Sequence, residues 1–147
     1  MRVIGYWRPT MTTTGKIRRL ITWLAPNIDD RLPDPRTVVN PHWNPSAKEK
    51  VLRYLRGANT CNSFLGYSYC RFDCGVTEHE MGCCEKTDGK WVWPEGLAHY
   101  VDKHDVDLPA EFLADIEKAT SVPSITADIS GMPRDLDYWI HWAKSRP

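Results

Sequence analysis

The chain of 147 residues is 41% hydrophobic and 26% charged, and its 19 Lys and Arg balance 19 Asp and Glu to give a net charge of zero. This composition predicts one globular domain and argues against a generic nucleic-acid-binding protein, which needs a basic surface. The N-terminus has no apolar leader-like segment, and no run approaches the roughly 18 apolar residues of a membrane span. We therefore expect a cytoplasmic protein without a membrane partner, in which the five cysteines stay reduced.

The first third of the chain predicts little regular structure. Val3–Trp7 can form a short strand, whereas Pro26–Pro45 contains five prolines and predicts a long irregular connection. Ser46 is then a candidate N-cap for a helix that continues to about Ala58, because apolar residues recur there at helical spacing. Basic residues occupy the other face of this helix.

Strand and turn signals dominate the middle of the chain. Thr60–Tyr69 is rich in aromatic and small residues and predicts a strand. Glu85–Trp93, with Asp88-Gly89 at its centre, predicts a hairpin. The remaining predicted elements are helices: one that starts at Pro94, one after Pro109 and one at Arg134–Lys144.

Four residues of the middle region predict a metal site. Cys70 and Cys74 lie on a short turn, and His99 and His104 fall on one predicted helix. Two thiolates and two imidazoles are ligands typical of tetrahedral structural zinc. Positions five apart on an ideal helix point about 140° away from each other, given 100° per residue, so we expect His104 where the helix tightens or ends. The pattern thus predicts a structural Zn²⁺ bound by Cys70, Cys74, His99 and His104.

Two alternatives to this site stay open. In one, the cysteines are simply buried and the histidines of the helix are satisfied by hydrogen bonds without a metal. In the other, Cys83, Cys84 or His79 replaces one of the four ligands, although adjacent cysteines in a strand point to opposite faces. A catalytic zinc would need an open coordination position and a nearby base. Because the H-E-x-x-H and zinc-deaminase patterns are absent, we expect no catalytic residues and no enzymatic activity.

Taken together, the predicted elements indicate an α+β fold. It consists of a small antiparallel sheet, a zinc-bearing ββα-like unit and packed helices. We expect a single domain over residues 1–147. Its parts are an irregular N-terminal part at 1–45, a zinc-bearing core at 46–119 and a C-terminal part with the tail helix at 120–147.

Charge is distributed unevenly along the chain. Residues 1–60 hold eleven Lys and Arg against four Asp and Glu, and the remainder holds eight against fifteen. Either the two halves neutralise each other within the fold, or the acidic half offers a surface to a basic partner. The second interpretation predicts a non-enzymatic intracellular protein-binding module, for example an immunity-type protein that neutralises a basic toxin. The alternatives are a nucleic-acid-binding zinc protein that uses the basic helix at Lys48–Arg56, and a zinc-dependent hydrolase.

One segment of the sequence carries a resemblance. The run T-D-G-K-W-V-W-P-E-G-L-A-H-Y-V at Thr87–Val101 is followed by His104 and by L-P-A-E-F at Leu108–Phe112. In this pattern, and in the Cys-Arg-containing turn before it, the chain resembles a group of small, functionally uncharacterised bacterial proteins. The resemblance covers roughly residues 65–115 and implies a bacterial origin and the same four metal ligands, but no activity. The turn of that group is a tighter C-x-x-C-G, so Asp73 is an additional residue here.

Overall fold

The computed structural model describes residues 1–9, 31–121, 123–125 and 131–146. The start of the predicted irregular connection, residues 26–30, lies outside these ranges. Five α-helices and four strands within them confirm the predicted α+β class. No helix in the described ranges has both the length and the apolar character that crossing a membrane requires. In chain order, the elements are β1 (Arg2–Val3), a 3-10 helix (Pro35–Val38), α1 (Pro45–Gly57), β2 (Asn59–Ser63), α2 (Glu78–Met81), β3 (Cys84–Thr87), β4 (Trp91–Pro94), α3 (Leu97–His104), α4 (Ala110–Lys118) and α5 (Asp137–Lys144).

The four strands form one mixed sheet in the order β1-β4-β3-β2. As expected, β2 pairs with β3 and β3 with β4 in antiparallel fashion. The exception to the predicted antiparallel sheet is β1, which lies parallel to β4 with Arg2 opposite Trp91. A parallel pair needs a long crossover connection, and the chain between β1 and β4 supplies it.

The predicted hairpin is confirmed, and its turn is held by side-chain hydrogen bonds. The Asp88 carboxylate accepts from the backbone N–H of Lys90 at 2.9 Å and of Trp91 at 2.7 Å. Gly89 between them has a φ of +90°, a conformation that glycine adopts without steric penalty. The hairpin thereby brings β3 and β4 together immediately before α3.

Aromatic side chains fill the core between the sheet and the helices. Trp91 and Trp93 of β4 are fully buried, and the Phe112 ring of α4 lies 5.2 and 5.4 Å from their ring centroids. Tyr54 of α1 completes this cluster, 6.2 Å from Phe112. On α5, the buried Trp139 packs at 5.0 Å against Trp7. The core therefore fixes β4 and, through it, the start of α3.

Several element boundaries differ from those predicted, each for a local reason. Asn44, not Ser46, caps α1, because its side chain accepts from the N–H of Ala47 at 3.1 Å while a proline occupies the first helical position. The strand expected at Thr60–Tyr69 is shorter, since β2 ends at Ser63 and residues 64–69 form an exposed, irregular segment.

Two of the three helices predicted after the hairpin also start later than the sequence indicates. Pro94 still pairs with Glu85 across the hairpin, so it ends β4, and α3 begins only at Leu97. The tail helix begins at Asp137, and the side chain of Asp135 accepts from the N–H of Tyr138 in its first turn. The helix predicted after Pro109 begins at the next residue, as expected.

Candidate metal centre

The four predicted ligands lie together in the structure. Each offers one donor atom, and these atoms all lie within 4.8 Å of one another. The sulfur of Cys70 is 3.2 Å from Nε2 of His104, and the sulfur of Cys74 is 3.3 Å from Nε2 of His99. Zinc bond lengths in tetrahedral geometry imply sulfur–nitrogen separations of about 3.5 Å. The four donor atoms are therefore spaced much as the ligands of one tetrahedral ion would be, and the cluster could hold a metal ion.

The turn from Cys70 to Gly75 presents the two sulfurs in the same direction. Asp73 and Gly75 both have left-handed backbone conformations, with φ values of +52° and +79°. Aspartate tolerates this conformation better than most residues, so Asp73 suits its position in the turn. The N–H of Phe72 also donates to the sulfur of Cys70 at 3.4 Å.

A tyrosine connects this turn to the helix that carries the histidines. The hydroxyl of Tyr100 accepts from the N–H of Arg71 at 3.0 Å and donates to the carbonyl of Tyr69 at 3.3 Å. Burial raises the pKa of Tyr100 to about 12, so the phenol stays protonated and able to donate. Since Tyr100 directly follows His99 on α3, this contact sets the distance between the turn and the helix.

The end of α3 explains how His104 reaches the same point as His99. As expected, the helix ends at His104. Asp105 takes a left-handed conformation, and the N–H of the next residue, Val106, donates to the carbonyl of Tyr100 at 3.2 Å. A left-handed residue of this kind is a common end of an α-helix. His104 therefore lies at the last helical position, and the two imidazole centroids lie 5.1 Å apart.

Residues that the sequence reasoning missed support the His104 ring. The Phe72 ring stacks on the His104 ring with centroids 4.0 Å apart and only 3° between the planes. On the other side, the Arg36 guanidinium lies 5.1 Å from the Phe72 ring and donates to the carbonyl of Arg71. An aromatic residue between two cysteines of an exposed turn is a usable sequence signal, whereas the contribution of Arg36 depends on the tertiary fold.

Burial changes the proton affinity of the ligands in opposite directions. It raises the pKa of the Cys70 thiol above its ordinary value, because the thiolate is the charged form. It lowers the pKa of His99 and of His104, because the imidazolium is the charged form, and the two rings also repel each other's charge at His104. Neutral imidazoles are ready to bind a metal, whereas the Cys70 thiol must first lose its proton.

The other cysteines and His79 do not join this cluster. Among the described residues, the cluster contains only the four predicted ligands. The sulfurs of Cys83 and Cys84 lie 3.8 Å apart next to and within β3, and the His79 ring packs against Tyr67 at 4.4 Å. The structure therefore does not favour the alternative in which one of these three residues replaces a ligand.

The unevenly distributed charges pair with each other at the surface of the fold. Cations from the first part of the chain pair with carboxylates of α3, α4 and the residues that follow α3. This arrangement supports the interpretation that the two halves neutralise each other. The ion pairs are Lys48–Asp105 at 2.7 Å, Arg56–Asp102 at 3.2 Å, Lys50–Glu117 at 3.4 Å, and Arg2–Glu111.

The ligand chemistry limits what the centre can do. Four protein donors fill the tetrahedral coordination of a closed site, whereas a catalytic site keeps one position for water or substrate. In the described part of the chain, no carboxylate belongs to the cluster. Comparison with protein-family models, curated proteins and solved structures found no match. The function must therefore be inferred from the centre and its surroundings.

Proposed function

We propose that this chain is a non-enzymatic protein-binding module whose core is stabilised by a structural Zn²⁺ bound to Cys70, Cys74, His99 and His104. The observation that supports the zinc site best is the mutual distance of the two sulfur and two nitrogen donors, all within 4.8 Å. Thiolate ligands disfavour magnesium and calcium, and a tetrahedral set of two sulfurs and two nitrogens is typical of zinc. With four protein ligands, the ion has no open position for catalysis.

A surface near the centre supports the protein-binding part of the proposal. We call it the apolar–acidic surface and define it by Phe64, Leu65, Tyr67, Glu78 and Glu80. The three apolar side chains are unusually exposed, and Leu65 is fully so. Both glutamates are exposed, and neither forms an ion pair with another described residue. Exposed apolar groups beside charged ones are typical of protein interaction sites.

Two contacts join the segments that make up this surface. The Tyr67 ring lies 4.4 Å from the His79 ring, and His79 stands between the two glutamates in α2. The N–H of Ser68 donates to the carbonyl of Gly82 at 2.9 Å. The apolar residues of the 64–67 segment and the carboxylates of α2 are therefore neighbours.

The charges of this surface favour a basic protein partner, such as the toxin domain that an immunity-type protein would neutralise. The carboxylates of α3 and α4 that form ion pairs are already neutralised within the fold, whereas Glu78 and Glu80 remain available. The same reasoning weighs against nucleic acid, since Lys48, Lys50 and Arg56 of α1 pair with carboxylates. Phosphate binding would have to break these pairs.

Affinity capture with matched variants tests the partner. We expect the wild-type chain to capture a protein rich in Lys and Arg from the native host, and the purified pair to bind more weakly as salt rises. Leu65→Lys should weaken this binding at least about tenfold, because it places a charge of the same sign as the partner's in the apolar part of the contact. The double substitution Glu78→Gln/Glu80→Gln should also weaken it.

The control is Glu111→Gln/Glu117→Gln, which changes the net charge by the same amount on α4. It should leave binding of the purified partner unchanged in calorimetry. Equal binding by all four proteins, or a partner without excess positive charge, would contradict the proposed surface.

Zinc affinity should depend on pH in a defined direction. Since burial keeps the Cys70 thiol protonated at neutral pH, binding of the ion releases at least this proton. The histidines, whose pKa values are lowered, contribute little above neutral pH. We expect the apparent affinity, measured by competition with a chromogenic chelator, to rise at least about tenfold per pH unit from pH 7 to 8. A pH-independent affinity would show that the thiol does not bind the ion.

A further inference from the structure

A second site lies behind the metal centre. A cavity of about 220 Å³ opens there, and its walls include Tyr6, Trp7, Arg71, Met81, Glu85 and Tyr100. Arg71 belongs to the metal-binding turn and Tyr100 to α3, so the cavity shares a wall with the centre without including any of its ligands. We propose that this cavity binds a small aromatic carboxylate.

Two residues of the cavity wall, Trp7 and Arg71, carry hydrogen-bond donors that have no partner among the described residues. The indole Nε1 of Trp7 and the Nε of Arg71 are buried and unpaired among the described residues, and Trp7 as a whole is only 4% exposed. An unpaired buried donor costs about 1–3 kcal/mol and is rare in folded proteins. Of the described buried side chains, only Trp43 has another such atom, and it does not line the cavity. The unpaired donors thus indicate a ligand that accepts hydrogen bonds.

The chemistry of the donors defines that ligand further. An indole N–H can only donate, and the guanidinium of Arg71 donates and carries a positive charge. Arg71 is already oriented, since its Nη1 donates to Ser68 Oγ at 3.1 Å and its guanidinium lies 4.1 Å from the Tyr69 ring centroid. A carboxylate supplies two acceptor oxygens and the complementary charge.

The one acidic residue of the wall does not oppose an anion. Glu85 is 3% exposed, and its carboxylate pairs with Arg134 at 2.6 Å. The hydroxyl of Tyr6 and the side-chain amide of Asn62 also donate to this carboxylate. Its negative charge is therefore compensated, and Arg71 provides the remaining charge that faces the cavity.

The walls and the volume favour an aromatic acid over a bare inorganic anion. Tyr6, Trp7, Tyr100 and Met81 offer aromatic and sulfur surface, on which a ring packs well. Placing phosphate against such walls would leave most of its oxygens without partners. A cavity of about 150 Å³ already accepts benzene, so 220 Å³ accommodates a ring together with a carboxylate.

Nuclear magnetic resonance of the tryptophan indole groups in the zinc-loaded chain tests the proposal directly. Titration with sodium benzoate should shift the Trp7 Nε1–H resonance with saturation, and Trp7→Phe assigns that resonance. The Trp43 indole is the matched control, because it is also unpaired but lies outside the cavity, and its resonance should not move. Benzyl alcohol, which has a similar shape without the charge, should bind at least about tenfold more weakly than benzoate, and acetate should bind weakly as well.

A variant at Arg71 separates the contribution of its charge to binding from that of the aromatic ring of the ligand. Arg71→Gln should reduce benzoate affinity at least about tenfold and leave benzyl alcohol binding unchanged. The benzyl alcohol titration also shows whether this variant keeps its cavity, since Arg71 is next to a metal ligand. Three results would overturn the proposal: no shift of Trp7 at millimolar benzoate, equal affinities for benzoate and benzyl alcohol, or a shift of Trp43 parallel to that of Trp7.

Discussion

Replacing Cys74 with serine is expected to abolish stoichiometric zinc binding and to destabilise the fold more than substitution of any half-buried or exposed residue outside the four ligands. Cys74 is exposed, so the change removes little packing and reports mainly the lost metal. Structural zinc contributes roughly 10–16 kcal/mol of binding free energy in zinc-finger peptides. Loss of even part of this binding free energy should lower the melting temperature by more than about 10 °C. For a chain of this size, 1 kcal/mol corresponds to about 2–4 °C.

The control for this experiment is Cys84→Ser, at a half-buried cysteine outside the cluster. It should retain one zinc per chain, measured by mass spectrometry of the metal, and a nearly unchanged melting temperature. A strong chelator should destabilise the wild type and the control but not Cys74→Ser. If Cys74→Ser keeps its metal and its melting temperature, the four residues are not a zinc site. Cobalt substitution adds an independent readout, because a tetrahedral site with thiolates has a characteristic visible spectrum that a water-ligated site lacks.

Phe112→Ala is expected to lower the free energy of unfolding by about 3–5 kcal/mol, the range of large-to-small substitutions in protein cores. Phe112 is fully buried and contacts the rings of Tyr54, Trp91 and Trp93. Removing its ring leaves a cavity between α4 and the sheet that these rigid aromatic groups cannot fill. Urea denaturation measures the loss as a lower midpoint with a similar slope.

The same substitution at an exposed phenylalanine provides the comparison. Phe64 is 52% exposed, so Phe64→Ala should change the free energy of unfolding by no more than about 0.5 kcal/mol. Comparable losses at Phe64 and Phe112 would mean that the aromatic cluster is not the core of the fold. Because Phe64 belongs to the apolar–acidic surface, its substitution should instead weaken binding of the protein partner.

The features that the sequence predicted correctly depend on short-range patterns. The hairpin follows from Asp88-Gly89 between two apolar runs, and the carboxylate of Asp88 forms the turn as the pattern indicates. Two cysteines on one turn and two histidines on one helix likewise identified a cluster whose donors prove to be close together. In the hairpin and within each pair of ligands, the residues that decide the structure lie close together in the sequence, although Cys74 and His99 are 25 residues apart.

The features that the sequence did not predict depend on distant contacts. No local pattern shows that β1 lies parallel to β4, or that Arg36 supports the ring of Phe72. The charge asymmetry allowed two interpretations, and only the tertiary fold placed the cations of α1 against the carboxylates of the second half. The cavity is also hidden from sequence reasoning, because it depends on the burial of Trp7 beside Arg71.

The parallel pairing of β1 with β4 also bears on the order in which the chain assembles. The metal-binding turn, the hairpin and α3 all lie within residues 70–104, so they can close through short loops at little entropic cost. By contrast, β1 can pair only after β4 has been synthesised, because Arg2 of β1 lies opposite Trp91 of β4. During synthesis, β1 therefore leaves the ribosome well before β4 and is one of the last strands to find its partner.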